Sequence, residues 1–312
     1  GSQIIANGTE SNPITFSGED YGFDGTGEFG GLVLQGFSAD QKHDYGEGLF
    51  GKPDNTPQSD DGSSGVLRYV RVVESGSEVA DVSGIEFQGV GSGTVVENIH
   101  VHSGRYLGLI AYHGNLNAKH LVISDMTLSS LAPSEGVQGS LQFILIKQSN
   151  ETSSTHDALL FNSVNGVSNP TLANVTIEAS ADGSASLGTS TIAANAGAFL
   201  HNVAVTIAED SAGTFDTCVD IDRDTVQAVN GSNLVLNNWL YDCANAAASN
   251  GVLANIDGLS GTAVNPQLDS NFAAQATEAI LDEPIDWTAI KETYPTSGAD
   301  TAFLESTDYI GA

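Results

Sequence analysis

The sequence predicts an all-β fold: a right-handed parallel β-helix (solenoid) with a short C-terminal helical cap or tail. A five-residue strand pattern recurs along the chain, its second and fourth residues are aliphatic in every copy, and Gly and Asn crowd the intervals between copies. The copies read Tyr69-Val70-Arg71-Val72-Val73, Asn98-Ile99-His100-Val101-His102, His120-Leu121-Val122-Ile123-Ser124 and Phe143-Ile144-Leu145-Ile146-Lys147. Asn174-Val175-Thr176-Ile177-Glu178 and Asn202-Val203-Ala204-Val205-Thr206 follow, with Asn233-Leu234-Val235-Leu236-Asn237 as the seventh. They recur after 29, 22, 23, 31, 28 and 31 residues. The two short spacings suit one coil of a β-helix, and the longer ones read as coils with inserted loops. A β-sandwich also supplies many short strands, but gives no reason for the same parity at each coil.

A second strand series precedes several copies: Gly31-Leu32-Val33-Leu34-Gln35, Gly84-Ile85-Glu86-Phe87-Gln88 and Gly108-Leu109-Ile110-Ala111-Tyr112. Gly and Asn at the corners suit turns that need positive φ. Asn98, Asn174, Asn202 and Asn233 share one repeat position, so a structural ladder of stacked amides is expected there. The pattern stops near Asn265. Residues 1–265 therefore read as solenoid and 266–312 as a tail packed on it, with an amphipathic helix from Pro266 to Leu281 and a turn near Trp287 to Ile290.

Thirty-nine Asp and Glu stand against nine Lys and Arg, a net charge of −30. Such a surface repels phosphate, so nucleic acid is not an expected partner. No apolar run approaches the roughly 18 residues of a membrane-spanning helix, and the apolar share of 40% argues against disorder. An acidic, Lys-poor chain suits an extracellular or outer cell-surface location, and its field concentrates divalent cations. Ca2+ is the one cofactor anticipated; no organic cofactor is. Cys218 and Cys243 would close a loop of about 25 residues as a disulfide, the alternative being two buried thiols. Gly1-Ser2-Gln3-Ile4-Ile5 is already strand-like, which reads as a removed leader or a fragment.

The sequence resembles a group of largely uncharacterised bacterial surface or lipoprotein β-helix proteins, common in marine bacteria. The matching stretches include GSQIIANGTESNPITF (1–16), SGVLRYVRVVESG (64–76), SGIEFQGVGSGTVVENIHVHSG (83–104), QFILIKQ (142–148), CVDID (218–222) and FLESTDYIGA (303–312). The resemblance implies export and a surface location, no established activity, and an N-terminal segment, missing here, able to carry a lipid anchor. It also implies paired acids in the coil matched by Leu107 to Gly114. Those acids are absent in this chain, and the acidic run that follows them is replaced by Leu128 to Gly139.

Two constellations carry candidate chemistry. Parity places the first, third and fifth residues of each copy outside, which gathers Tyr69, Arg71, His100, His102, His120 and Lys147 on one outer face. Such a face reads as a groove for an acidic glycan, with a histidine base and a cation neutralising a uronate carboxylate. The plainer reading, solvated polar residues on an exposed sheet, is preferred, because fold analogy does not establish function. His100-x-His102 with His120 also offers a zinc chelate that lacks a fourth ligand. The second constellation is Asp220-x-Asp222-x-Asp224 with Asp216. It is not an EF-hand, since Thr225 stands where that loop needs Gly, but a hard cation would relieve the repulsion. Asp60-Asp61 and the 18–28 loop are lesser candidates. Nucleophile elbows, phosphate loops and dinucleotide fingerprints are absent.

The expected function is a non-catalytic extracellular scaffold that presents loops for glycan binding, adhesion or self-assembly, its partners being extracellular polysaccharide or neighbouring copies of itself. The alternative is a polysaccharide lyase or hydrolase acting on an acidic glycan through Arg71, His100, His102, His120 and Lys147.

Overall fold

The computed structural model describes residues 2–18, 25–38, 59–77, 81–148, 157–163, 168–180, 186–193, 196–208, 214–221, 234–241, 245–249, 262–263, 303–305 and 312. One sheet contains β1 (Ile4–Asn7), β4 (Gly65–Val73), β6 (Val95–His102), β8 (Ala118–Ser124), β10 (Ser140–Lys147), β12 (Thr171–Ala179), β14 (Ala198–Ile207), β16 (Leu234–Tyr241) and β18 (Thr262–Ala263), in that spatial order. β2 (Ile14–Phe16) also pairs with β4. A second sheet runs through β3 (Leu32–Gln35), β5 (Ile85–Gln88), β7 (Leu109–Tyr112), β9 (Leu131–Ser134), β11 (Leu159–Phe161), β13 (Ser186–Ile192), β15 (Thr214–Ile221) and β17 (Asn245–Ser249). From β3 on, the chain alternates between the sheets, and the ladders within each sheet are parallel. This is a parallel β-helix. The described residues contain no helix, and the helical tail expected from Pro266 to Leu281 lies outside them.

Each long strand serves as two sides of a coil. Its inward residues form the pairs Leu67 and Val70, Val96 and Ile99, Ala118 and Leu121, Leu141 and Ile144, Leu172 and Val175, Leu200 and Val203, all in the core and almost wholly buried. Members of a pair stand three apart, where strict alternation would place them two or four apart. The residue that breaks parity has positive φ in each of these six coils: Tyr69 (48°), Asn98 (57°), His120 (57°), Phe143 (59°), Asn174 (53°) and Asn202 (57°). A left-handed residue turns the chain and resets its parity, so each coil has three sides although its strands make two sheets. Glu74, Ser103 and Asp125 occupy a second left-handed corner after the long strands, and Gly89, His113 and Glu135 a third after the second-series strands.

These corners correct the sequence reading. The first residue of each copy is the bend itself, and not an outward strand position. The seventh copy is also displaced. His201 pairs with Asn237 and Val203 with Trp239, which puts Asn238 opposite Asn202 at the corner, five residues beyond Asn233. The amide ladder is interrupted too, since His120 and Phe143 lie between Asn98 and Asn174. Their rings stack 5.0 Å apart at 12°, and Asn174 accepts its hydrogen bond from Gln142 Nε2 at 3.0 Å.

Candidate functional site

The outward positions beyond the corner hold Arg71, His100, Val122, Leu145, Thr176 and Ala204 in register, and then Val73, His102, Ser124, Lys147 and Glu178. Topology therefore gathers Arg71, His100, His102 and Lys147 on one face, while Tyr69 and His120 stand at its edge in the bend. The face is only partly open to solvent, with Arg71, His102 and Lys147 half-buried. His100 is 1% exposed, and Val73, Val122, Ser124, Leu145, Thr176 and Ala204 are as fully buried. The expectation of an exposed side chain fails at His100, because parity gives the direction of a side chain and says nothing of what lies over it.

Within this layer the His100 and His102 rings lie 5.9 Å apart, tilted at 57°. Ser124 Oγ lies 3.2 Å from His100 Nε2 and 2.8 Å from His102 Nδ1, and Asp125 Oδ2 lies 3.3 Å from the same Nδ1. Burial pushes His102 down to about 4. It holds His100 well below the usual histidine range, with His102 and Arg71 adding repulsion. Both rings are therefore neutral at pH 7. Serine, histidine and aspartate are all present, but a nucleophilic relay needs the hydroxyl on one ring nitrogen and the carboxylate on the other. Here both reach Nδ1, and Ser124 has no exposed surface. Lys147 Nζ is bound to Glu178 Oε1 at 3.1 Å. His120 is likewise lowered, chiefly by burial, with Glu305 and Glu97 opposing. The arrangement is a partly covered polar layer in which Lys147 is held by Glu178.

The acidic constellation is only partly described. Asp220 is exposed on β15, while Asp222 and Asp224 lie outside the described residues, as does the side chain of Asp216. Among the described residues no group of three His, Cys, Asp or Glu side chains is placed to hold a metal ion. Cys218 is buried and disulfide-bonded; Cys243 lies outside the described residues.

The second sheet carries groups that the sequence did not single out. Asp157, just before β11, accepts a hydrogen bond from Thr191 Oγ1 at 2.8 Å. Burial pushes it up to about 6, the Thr191 bond opposes this, and Asp220 adds to it. Thr191 and Asp220 are paired neighbours on β13 and β15, and the Asp220 carboxylate is near enough to add to the rise at Asp157. Three coils away, Glu86 accepts from Ser83 N at 3.1 Å and from Gln88 Nε2 at 3.0 Å, and Gln88 accepts from Gln35 at 3.0 Å. Burial raises Glu86 as well. Asp157 lies beyond the reach of sequence reasoning because it precedes a strand outside the repeat and meets its partners across coils. Glu86 was legible only as the outward residue of Gly-Ile-Glu-Phe.

A family model described as a pectate-lyase-like β-helix domain matches residues 1–289. No curated protein and no solved structure matches the chain. The match spans almost the whole chain and agrees with the stacked parallel coils, so the chain belongs to the pectate-lyase-like β-helix domain family.

Proposed function

We propose that the protein is a non-catalytic β-helix scaffold of the cell surface or extracellular matrix, whose loops bind acidic or neutral glycan, mediate adhesion or join neighbouring copies. The observation that carries this reading is the burial of His100 and Ser124 within the polar face. A lyase needs its base and its neutralising cation open to a polymer chain, whereas His100 is covered, His102 is neutral at pH 7 and Lys147 is paired with Glu178. The −30 charge supports an extracellular setting, as does the disulfide at Cys218. The resemblance to marine surface or lipoprotein β-helices points the same way. Ca2+ belongs to this reading as a bridge between Asp220 and neighbouring acids of its segment.

Incubating the full chain with a panel of uronic-acid polysaccharides tests the proposal. The expected outcome is retention of some polymers on immobilised protein with no unsaturated product in the ultraviolet and no new reducing ends. Turnover abolished by His100→Ala or His102→Ala would overturn it.

One observation favours the enzyme alternative, and it points away from the histidines. Asp157, its carboxyl pushed up to about 6 by burial, near the exposed Asp220 is a two-carboxylate arrangement of the kind that glycoside hydrolysis uses. New reducing ends that vanish in both Asp157→Asn and Asp220→Asn would establish that reading.

A further inference from the structure

Residues Phe303 to Glu305 lie against the outer faces of β8 and β10, far from them in sequence. Lys119 Nζ sits over the Phe303 ring, 4.5 Å from its centroid, and pairs with the Glu305 carboxylate. Leu304 is 7% exposed. Gln142, with no exposed surface, reads the main chain of Glu305 on both sides: its Nε2 donates to the Glu305 carbonyl at 2.8 Å, and its Oε1 accepts the Glu305 N–H at 2.7 Å. One coil further along the axis, the Ala312 N–H donates to Thr176 Oγ1 at 2.7 Å.

Two bonds from one side-chain amide to the N–H and C=O of one residue imitate what a neighbouring strand would offer. Gln142 thus accepts an extended peptide whatever its side chains. Selectivity comes from the surroundings: an ammonium over an aromatic ring, a buried aliphatic position, and the same ammonium for a carboxylate. The three together read Phe-Leu-Glu. Gln142 and Lys119 hold the segment through side chains, whereas the coils hold one another through backbone ladders.

We propose that Lys119, Gln142 and Thr176 form a peptide-docking track on the outer face of the solenoid, and that its occupant is the chain's own Phe303–Glu305 segment, docked as a separable latch. The latch lies beside His120, which feels the Glu305 carboxylate. Its release frees a surface that reads extended, aromatic and acidic peptide. This stands apart from glycan binding and holds whether or not the scaffold reading does.

The test uses the full chain carrying Phe303→Ala and Glu305→Ala together, followed by hydrogen–deuterium exchange. Amides 303–305 should exchange at least tenfold faster while β6 to β12 keep their protection. A synthetic peptide of residues 303–312 should then bind this variant, and adding Gln142→Glu should abolish that binding. The proposal fails if the segment stays protected, or if the coils lose protection with it, since it would then be part of the fold. It also fails if the peptide does not bind the vacated track or binds equally after Gln142→Glu. A halving of molecular mass in the double variant would overturn it too, by showing that the occupant came from a second copy.

Discussion

His102 and Asp157 show how burial sets chemistry one residue at a time, and they make opposite demands on pH. For His102 the folded value of about 4 lies below the unfolded value near ~6.5. The unfolded chain therefore binds more protons between those limits, and stability present above pH ~6.5 is lost as pH falls towards 4. Chemical denaturation from pH 7 to 4 should show a declining free energy of unfolding, up to about 1.4 kcal/mol per pH unit from this one group. His102→Gln should flatten that share of the slope, and an unchanged slope would remove His102 from the account. Asp157 has the reverse sign. Its folded value is raised to about 6, so its contribution is complete at low pH and is lost as pH rises through 6. Asp157→Asn keeps an acceptor for Thr191 and removes a half-buried charge. It should raise stability at pH 8 by roughly 1–2 kcal/mol, allowing for partial exposure, and change little at about pH 3, below the unfolded value. An equal effect at both values would assign the gain to packing.

At the scale of the element, the left-handed corner decides the architecture. It turns one nine-residue strand, β4, into two sides of a coil, and it recurs at Tyr69, Asn98, His120, Phe143, Asn174 and Asn202. An L-residue there costs roughly 1–2 kcal/mol that Asn reduces through local hydrogen bonding and Gly avoids. Asn98→Val should therefore lower stability by about 1–2 kcal/mol more than Asn98→Gly, as measured by the denaturant midpoint at constant m-value. Equal losses in the two variants would show that φ is not what selects Asn. The same element explains what the sequence conveyed and what it withheld. Aliphatic residues at alternate positions of Val70–Val72, Ile99–Val101 and Ile144–Ile146 made the solenoid legible, because burial acts on local period. Positive φ leaves a weak trace: Asn and Gly advertise it, while Tyr69, His120 and Phe143 do not. For that reason the local pattern makes the corner look like strand, and favours Asn233 over Asn238 as the seventh corner. The covering of His100 and the nearness of Asp220 to Asp157 depend on contacts between distant residues, which a single sequence does not order. The end of the repeat marks 266–312 as a packed tail, but nothing in the stretch FLESTDYIGA says that its Phe-Leu-Glu meets Lys119 and Gln142.

For the whole molecule, the governing quantity is a charge of −30 on 312 residues. Self-repulsion of that size opposes the compact state, and screening relieves it as the Debye length shrinks from about 30 Å at 0.01 M to about 8 Å at 0.15 M. The melting temperature should rise over that salt range with any simple electrolyte. A calcium site requires more than this. At matched ionic strength, millimolar Ca2+ must raise the melting temperature above the level reached with Mg2+ or Na+, and excess EDTA must reverse it, because a bound ion stabilises by mass action on the native state alone. Magnesium is the informative control: it keeps much of its water and prefers octahedral geometry, whereas calcium accepts six to eight oxygens from irregular loops. If the calcium increment appears and Asp220→Asn removes it, the acidic end of β15 holds the ion. If calcium, magnesium and sodium coincide once ionic strength is matched, the acids act only as surface charge, and the scaffold reading must stand on its loops without a metal.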